Sequence, residues 1–246
     1  LPRLKDLGPI LIAWLVSLAV LVFETDLGTS LLFFGLFVSM LYIATQRRSW
    51  LILGGVLFIA GAVAAYYLFG HVRLRVEVWL DPWAYADTSG YQIVQSLFGL
   101  ANGGILGAGL GQGFPNLVPF ANTDFIVAAL GEELGVTGLV AMLLLYAVLI
   151  GRGLRAGGSV RVSFGLLLAA GLSITLALQV FVIIGGVTRL IPLTGLTTPF
   201  LSYGGSSLIA NWIIVALLLR ISDRARRPEA TIPSPDDAVT QVVRRV

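Results

Sequence analysis

The chain has 246 residues, 57% of them hydrophobic and only 12% charged, with mean hydropathy +0.92 and formal net charge +3. Soluble domains carry about 25% charged residues, so this composition excludes an ordinary soluble domain and fits a polytopic membrane protein. The absence of cysteine excludes disulfides, thiolate catalysis and Cys-based metal sites. With one histidine (His71), carboxylates, Arg, Ser, Thr and backbone groups are left to do any chemistry.

The first residue is Leu1 rather than Met, and no signal-peptide pattern precedes the first apolar run. The chain is therefore expected to be a piece lacking an N-terminal part. A membrane helix needs about 20 apolar residues. On that basis the chain reads as six spans: Leu7–Phe23, Leu27–Ala44, Trp50–Phe69, Phe125–Ile150, Val162–Val187 and Ser207–Ile221. The expected fold class is all-α, a polytopic transmembrane helix bundle with a long extracytoplasmic loop between the third and fourth spans. Residues 1–222 form the transmembrane domain, and 223–246 form a polar cytoplasmic tail expected to be disordered.

Between the first two spans, Glu24-Thr25-Asp26 makes a tight turn in which Asp26 caps the second span. The segment Gly70–Thr123 is too polar and too rich in Gly and Pro to span as a simple helix. Within it, Tyr91–Leu100 places Ile93, Val94, Leu97 and Phe98 near one helical face, an arrangement that suits the membrane interface. The glycine series Gly103, Gly104, Gly107, Gly109, Gly111 and Gly113 follows. It matches neither a Walker loop nor a dinucleotide fingerprint. Close packing on a helix and lining of a substrate path both fit it.

Asp124 ends the polar string Asn122-Thr123-Asp124 and opens a long apolar run, Phe125 to Ile150, which also holds Glu132 and Glu133. Ionisable groups in a spanning segment are costly and are usually functional. Two readings of Asp124 stand: a first-turn residue favouring the helix dipole, or a reactive carboxylate. In a continuous helix Glu132 would lie about 12 Å deeper and turned by about 80°, with Glu133 pointing roughly the opposite way. That spacing excludes a glycosidase-like carboxylate pair, whose members stand roughly 5–10 Å apart. Asp124 is then expected to act alone, with Glu132 and Glu133 as buried partners of neighbouring polar groups.

The loop TRLIPLTGLTTPFLSYGGSS (Thr188 to Ser207) precedes the last span. Arg189 is the cation nearest a span on that side, and Ser206 and Ser207 begin the helix. Free N–H groups there would suit a phosphate or pyrophosphate; a capped helix start with a packed re-entrant loop is the alternative. Irregular backbone at membrane depth needs protein or a cavity around it.

Lys and Arg set orientation. Thirteen of the sixteen cations fall on one side of the six spans, with Arg73, Arg75 and Arg189 on the other. The basic side is expected to be cytoplasmic, so Asp124, the long loop and the 188–206 loop face the exterior. The basic stretch from Arg220 to Arg227 reads as a membrane anchor and not as a nucleic-acid face.

Several motifs carry a resemblance. SYGGSS (Ser202 to Ser207) after P-x-T-G (Pro192 to Gly195), TDFI (Thr123 to Ile126), GEELG (Gly131 to Gly135) and TDLGTS (Thr25 to Ser30) occur in the order found in the SEDS family (shape, elongation, division and sporulation), which includes RodA, FtsW and SpoVE. The wording is most similar to actinobacterial RodA-type members. The resemblance implies a fold of about ten transmembrane helices, of which this chain would hold the last six. It implies a peptidoglycan glycosyltransferase of the bacterial cytoplasmic membrane. Such an enzyme polymerises lipid II for elongation or division, with undecaprenyl pyrophosphate as leaving group and a class B penicillin-binding protein as partner. The family's essential loop aspartate falls on Asp124; Asn122, Thr123, Arg189, Ser202, Ser206 and Ser207 are the substrate-binding candidates, and Glu132, Glu133 and Asp26 have supporting roles. No protein metal site is implied, although a divalent cation, Mg or Mn, could assist the pyrophosphate. Two departures stand out: the family's earlier helices with their Q-P-S-E motif are absent, and Phe120 and Asn122 replace the Glu and His frequent before T-D. A lipid II flippase and a non-catalytic scaffold for a penicillin-binding protein are the competing functions. A transporter would more typically show midplane broken helices and an internal repeat.

Overall fold

The computed structural model describes residues 26–160 and 163–226, with Gly8, Ile12, Trp14–Val16 and Ala19 from the preceding segment. The described residues are all-helical. Seven α-helices follow in order: α1 Leu27–Thr45, α2 Ser49–Leu68, α3 Gly70–Leu80, α4 Tyr91–Gly103, α5 Ile126–Gly158, α6 Ser163–Val187 and α7 Gly205–Arg226. Five of them (α1, α2, α5, α6 and α7) are long and apolar enough to cross a membrane. The expected span Leu7–Phe23 lies largely outside the described residues, although Trp14 is buried and stacks on Phe37 with ring centroids 4.4 Å apart. The tail from residue 227, for which disorder is expected, also lies outside them.

The bundle centres on α6, which packs along both α5 and α1. Small residues permit this closeness. A Cβ at Gly153 would collide with Ser173 Oγ, and one at Gly157 would stand 2.9 Å from Ala169 Cβ. By contrast α2 presents Ile52, Val56, Ile59 and Val63 outward. An apolar surface of this kind suits hydrocarbon and not water.

The polar segments gather at one end. Asp26 Oδ1 caps α1 by accepting from Thr29 N at 3.0 Å, and the adjacent Gly28 lies under Thr194 O and Leu196. The arginines Arg47, Arg48, Arg152, Arg155, Arg224 and Arg226 end or follow α1, α5 and α7 at the opposite end.

Two expectations change. First, α5 is not continuous: Gly135 has φ 68° and ψ −171°, so the helix breaks just after Glu132-Glu133. The break lies beyond Glu132 and Glu133, which share the unbroken stretch from Ile126, whereas Asp124 precedes the non-helical Phe125 cap and stands outside the helix. The break frees backbone groups that must be paired at membrane depth, and the glycine loop pairs them. Ala108 N donates to Glu132 O (2.9 Å) and Gly109 N to Glu133 O (3.0 Å), while Val136 N and Thr137 N donate to Gly104 O and Ile105 O. Second, much of the apolar face of α4 is covered by protein. Ile93 and Val94 cluster with Val78 of α3, and α4 packs on α5; only Phe98 remains mostly exposed, edge-on to Trp83.

Candidate active site at the polar end of the bundle

The site is built from three loops. Before α5, Phe120 adopts a left-handed conformation (φ 57°), and its carbonyl accepts from Thr123 N and Phe125 N. This tight turn sets Asn122, Thr123 and Asp124 in a row, with the fully buried Phe125 as anchor. Phe125 and Val127 join Val118, Ile183 and Val187 in the largest buried cluster, so the aspartate stands directly on the core.

The loop between α6 and α7 then closes against this row. Ser202 Oγ donates to Thr123 O at 2.6 Å and accepts from Thr198 N at 2.7 Å; Tyr203 N donates to Asn122 O at 2.7 Å. The two polar constellations far apart in sequence are thus one structure. Tyr146 OH donates to Pro199 O and Gln179 Nε2 to Thr197 O, tying the loop to α5 and α6. Thr197 Oγ1 donates to Ser207 Oγ at 2.9 Å, and the buried Asn211 holds Ser207 from the next turn. Ser206 is exposed.

Ser202→Ala removes both hydrogen bonds from a buried position. It is expected to lower stability by about 1–3 kcal/mol. A thermal melt in detergent reads this as a drop in Tm, with exposed Ser206→Ala unchanged; equal melts would show that the Ser202 clasp is dispensable.

Asp124 is half-buried, and burial pushes its carboxyl above the usual aspartate range. The positive charge of Arg75 and a hydrogen bond from Thr123 act in the opposite direction. Both Asp124 and Arg75 are described residues, and no direct ion pair joins them. Arg75 Nη1 donates to Leu193 O at 3.0 Å, so the guanidinium is held by the α6–α7 loop. Gly195 leaves the space beside the carboxylate open: a Cβ there would lie 3.7 Å from Asp124 Oδ2.

Arg189 sits differently from the sequence expectation. Its Nε donates to Trp79 O at 2.8 Å and its Nη2 to Leu80 O, while Trp79 Nε1 donates back to Arg189 O at 3.0 Å. It therefore caps the carboxyl end of α3, and Arg75 is the cation whose charge reaches Asp124. In the sequence Arg75 carries one signal only, its place among three cations on the sparsely charged side.

The two glutamates separate. Glu132 is 4% exposed, and its Oε1 accepts from Asn102 Nδ2 (2.9 Å) and Phe114 N (3.1 Å), locking the glycine loop. Glu133 instead lines a groove of about 580 Å³ with Asn116, Phe120, Asn122, Ile126 and Leu130. Among the described residues no three Asp, Glu or His side chains converge on a metal position.

The sequence profile of the cell cycle protein family FtsW/RodA/SpoVE matches residues 1–227. The chain belongs to this family. Two SEDS relatives, the peptidoglycan glycosyltransferases RodA of Mycobacterium tuberculosis and Mycobacterium leprae, are 60% and 56% identical across all of this chain, which covers 53% and 54% of their lengths. Stage V sporulation protein E of Bacillus subtilis is 38% identical over 89% of this chain and 60% of its own length. The chain thus spans about half the length of the curated SEDS relatives it matches. Among solved structures, a chain from work on the structural coordination of polymerization and crosslinking by a peptidoglycan synthase complex superposes with TM-score 0.74 at 29% identity, covering 92% of this chain and 64% of that one. A crystal structure of a Thermus thermophilus rod shape determining protein RodA mutant shares the fold, with TM-score 0.62 at 23% identity over 93% of this chain and 60% of that one.

Proposed function

We propose that this chain is the catalytic-loop half of a peptidoglycan glycosyltransferase that polymerises lipid II at the outer face of the bacterial cytoplasmic membrane. The observation that carries the reading is the clasp of Ser202 and Tyr203 on Thr123 and Asn122, which joins a half-buried carboxylate to the loop that holds Arg75 and leads into α7. The names of the mycobacterial relatives support the same activity.

In this mechanism the Asp124 carboxylate takes the proton from the acceptor sugar's 4-hydroxyl as that oxygen attacks the donor's anomeric carbon. The bond from that carbon to the pyrophosphate oxygen breaks, its electron pair leaves with undecaprenyl pyrophosphate, and configuration inverts. Arg75 and the N-terminus of α7 at Gly205–Ser207 stabilise the charge on the departing pyrophosphate. Arg189 acts through α3, whose carboxyl end it holds and which carries Arg75. If a Mg or Mn ion came with the substrate, Asp124 would be the nearest carboxylate to help hold it, and the ion would supply further charge neutralisation.

The sign of the pH effect follows. The base must be ionised, so activity falls as pH drops through the Asp124 pKa, which burial has raised. Arg75 lowers that pKa, so Arg75→Ala is expected to move the acid limb of kcat/KM to higher pH. Loss of charge stabilisation should also reduce the plateau roughly 10²-fold. An acid limb that stays in place or moves down would remove Arg75 from the environment of the base.

We also assign the basic end of the helices to the cytoplasm, with the C-terminus inside, and a class B penicillin-binding protein as the crosslinking partner. The solved synthase complex whose title joins polymerization to crosslinking supports that pairing. Because the chain has no cysteine, single cysteines report orientation cleanly. Impermeant maleimide should label Asp87→Cys and spare Ser159→Cys in intact cells; the reverse pattern would invert the topology. The activity itself is tested with the longer protein containing this chain, purified with its partner and given labelled lipid II. Glycan polymer is expected, and lipid II flipping without polymer would replace a polymerase with a transporter.

A further inference from the structure

At the end of the bundle opposite Asp124, the carboxyl-terminal turns of α5 and α7 diverge around a cleft of about 400 Å³. Their point of contact forms its floor: Gly153 lies under Leu218, whose Cδ1 would stand 3.2 Å from a Cβ there, and Leu218 is buried. Above that floor the helices carry Arg152 and Arg155 on α5 and Arg226 on α7. Arg226 Nη2 donates to Ser222 Oγ at 2.8 Å, which holds this guanidinium to the α7 wall. No carboxylate lines the cleft, and Arg152 and Arg155 make no ion pair among the described residues. The inner walls are apolar, formed by Leu149, Val215 and Leu219, the last of them 65% exposed.

A ligand for such a cleft must be anionic at one end and apolar at the other. The fork geometry of arginine matches phosphate oxygens in pairs, and three arginines from two helices can converge on one phosphodiester. The leucine and valine walls run from there toward the membrane-spanning part of the helices, where an acyl chain would lie. Basic pockets between membrane helices at the interface have this form when they take anionic headgroups. A free phosphate ion would use the arginines but leave the apolar walls without a partner.

We propose that the cleft between the carboxyl ends of α5 and α7 is a binding site for an anionic phospholipid, with Arg152, Arg155 and Arg226 on the headgroup phosphate and Leu149, Val215 and Leu219 along the acyl chain. A lipid seated there bridges α5, which carries the aspartate loop at its far end, to α7, which begins at the loop clasping it.

The test is native mass spectrometry of the full chain released from micelles containing equal phosphatidylglycerol and phosphatidylcholine. The wild type is expected to retain phosphatidylglycerol preferentially. The double variant Arg152→Gln/Arg155→Gln should lose that preference by roughly tenfold or more, from the attraction each surface arginine contributes. Arg152→Lys/Arg155→Lys should keep part of it, which separates loss of charge from loss of fold. Arg47→Gln/Arg48→Gln, which removes two exposed cations outside the cleft, should retain the lipid as the wild type does. Equal loss in both Gln doubles would mean general attraction of a basic surface and would overturn the site. No preference in the wild type would overturn it as well, and displacement of the lipid by millimolar inorganic phosphate would replace the phospholipid with a phosphate ion.

Discussion

Asp124→Asn is expected to reduce lipid II polymerisation by about 10²- to 10⁴-fold, the range that a positioned general base contributes. Such a factor corresponds to about 3–5 kcal/mol of lost transition-state stabilisation. Asparagine nearly matches the aspartate in shape, so the turn at Phe120, the clasp of Ser202 on Thr123 and the open space over Gly195 are all retained. What disappears is the proton acceptor. The effect should therefore fall on kcat, with lipid II affinity close to that of the wild type, because Arg75 and the start of α7 remain to meet the pyrophosphate. A large rise in KM with kcat preserved would instead make Asp124 a binding residue.

Gly135→Ala is expected to be the most disruptive conservative substitution in the fold. At φ 68° and ψ −171° the backbone occupies a region that is essentially confined to glycine. An added Cβ would also collide with the backbone of the glycine loop at Gly107 N and Ile105 O. Neither contact can be relieved by a side-chain rotation. The strain and the lost pairing between Gly104–Gly109 and Glu132–Thr137 should together cost about 3 kcal/mol or more. Thermal unfolding in detergent would show this as a large drop in Tm, alongside increased proteolysis of the 103–113 loop. Gly55→Ala is the control, since its Cβ would meet nothing within 4 Å on α2 and alanine favours a helix. A Gly135→Ala protein melting with the wild type would mean that the break in α5 is not required.

What the sequence made legible follows from what hydropathy can and cannot encode. The spans from Leu27 onward stand out because hydrocarbon demands unbroken apolar runs, and α1, α2, α6 and α7 lie within a few residues of their expected bounds, α7 running further to Arg226. Asp124 stands out because a charge at the edge of such a run is rare. The break at Gly135 was hidden, because GEELG scans as ordinary helix with a tolerated glycine. Only the partner strand of backbone, Gly104 to Gly109, makes the non-helical geometry favourable. α3 was hidden as well: Val72-Arg73-Leu74-Arg75-Val76-Glu77-Val78 alternates apolar and charged residues without a helical period, yet it folds as a helix that buries Val72 and Val78. Arg75 was lost with it, since its relation to Asp124 exists only once α3 lies under the α6–α7 loop. Arg189 reads from sequence as the cation nearest a span, while in the fold its left-handed backbone (φ 61°) accompanies a side chain turned back onto the end of α3.

In the proposed reaction the carboxylate held by the clasp between the two loops takes the proton as the glycosidic bond forms. The most direct measurement places labelled lipid II with the longer protein and its partner, wild type beside Asp124→Asn, and resolves the products by gel while measuring bound lipid II separately. A ladder of glycan strands is expected from the wild type and none from Asp124→Asn, with equal lipid II bound by both. A ladder of comparable length and rate from Asp124→Asn would contradict this role and move the base to another group.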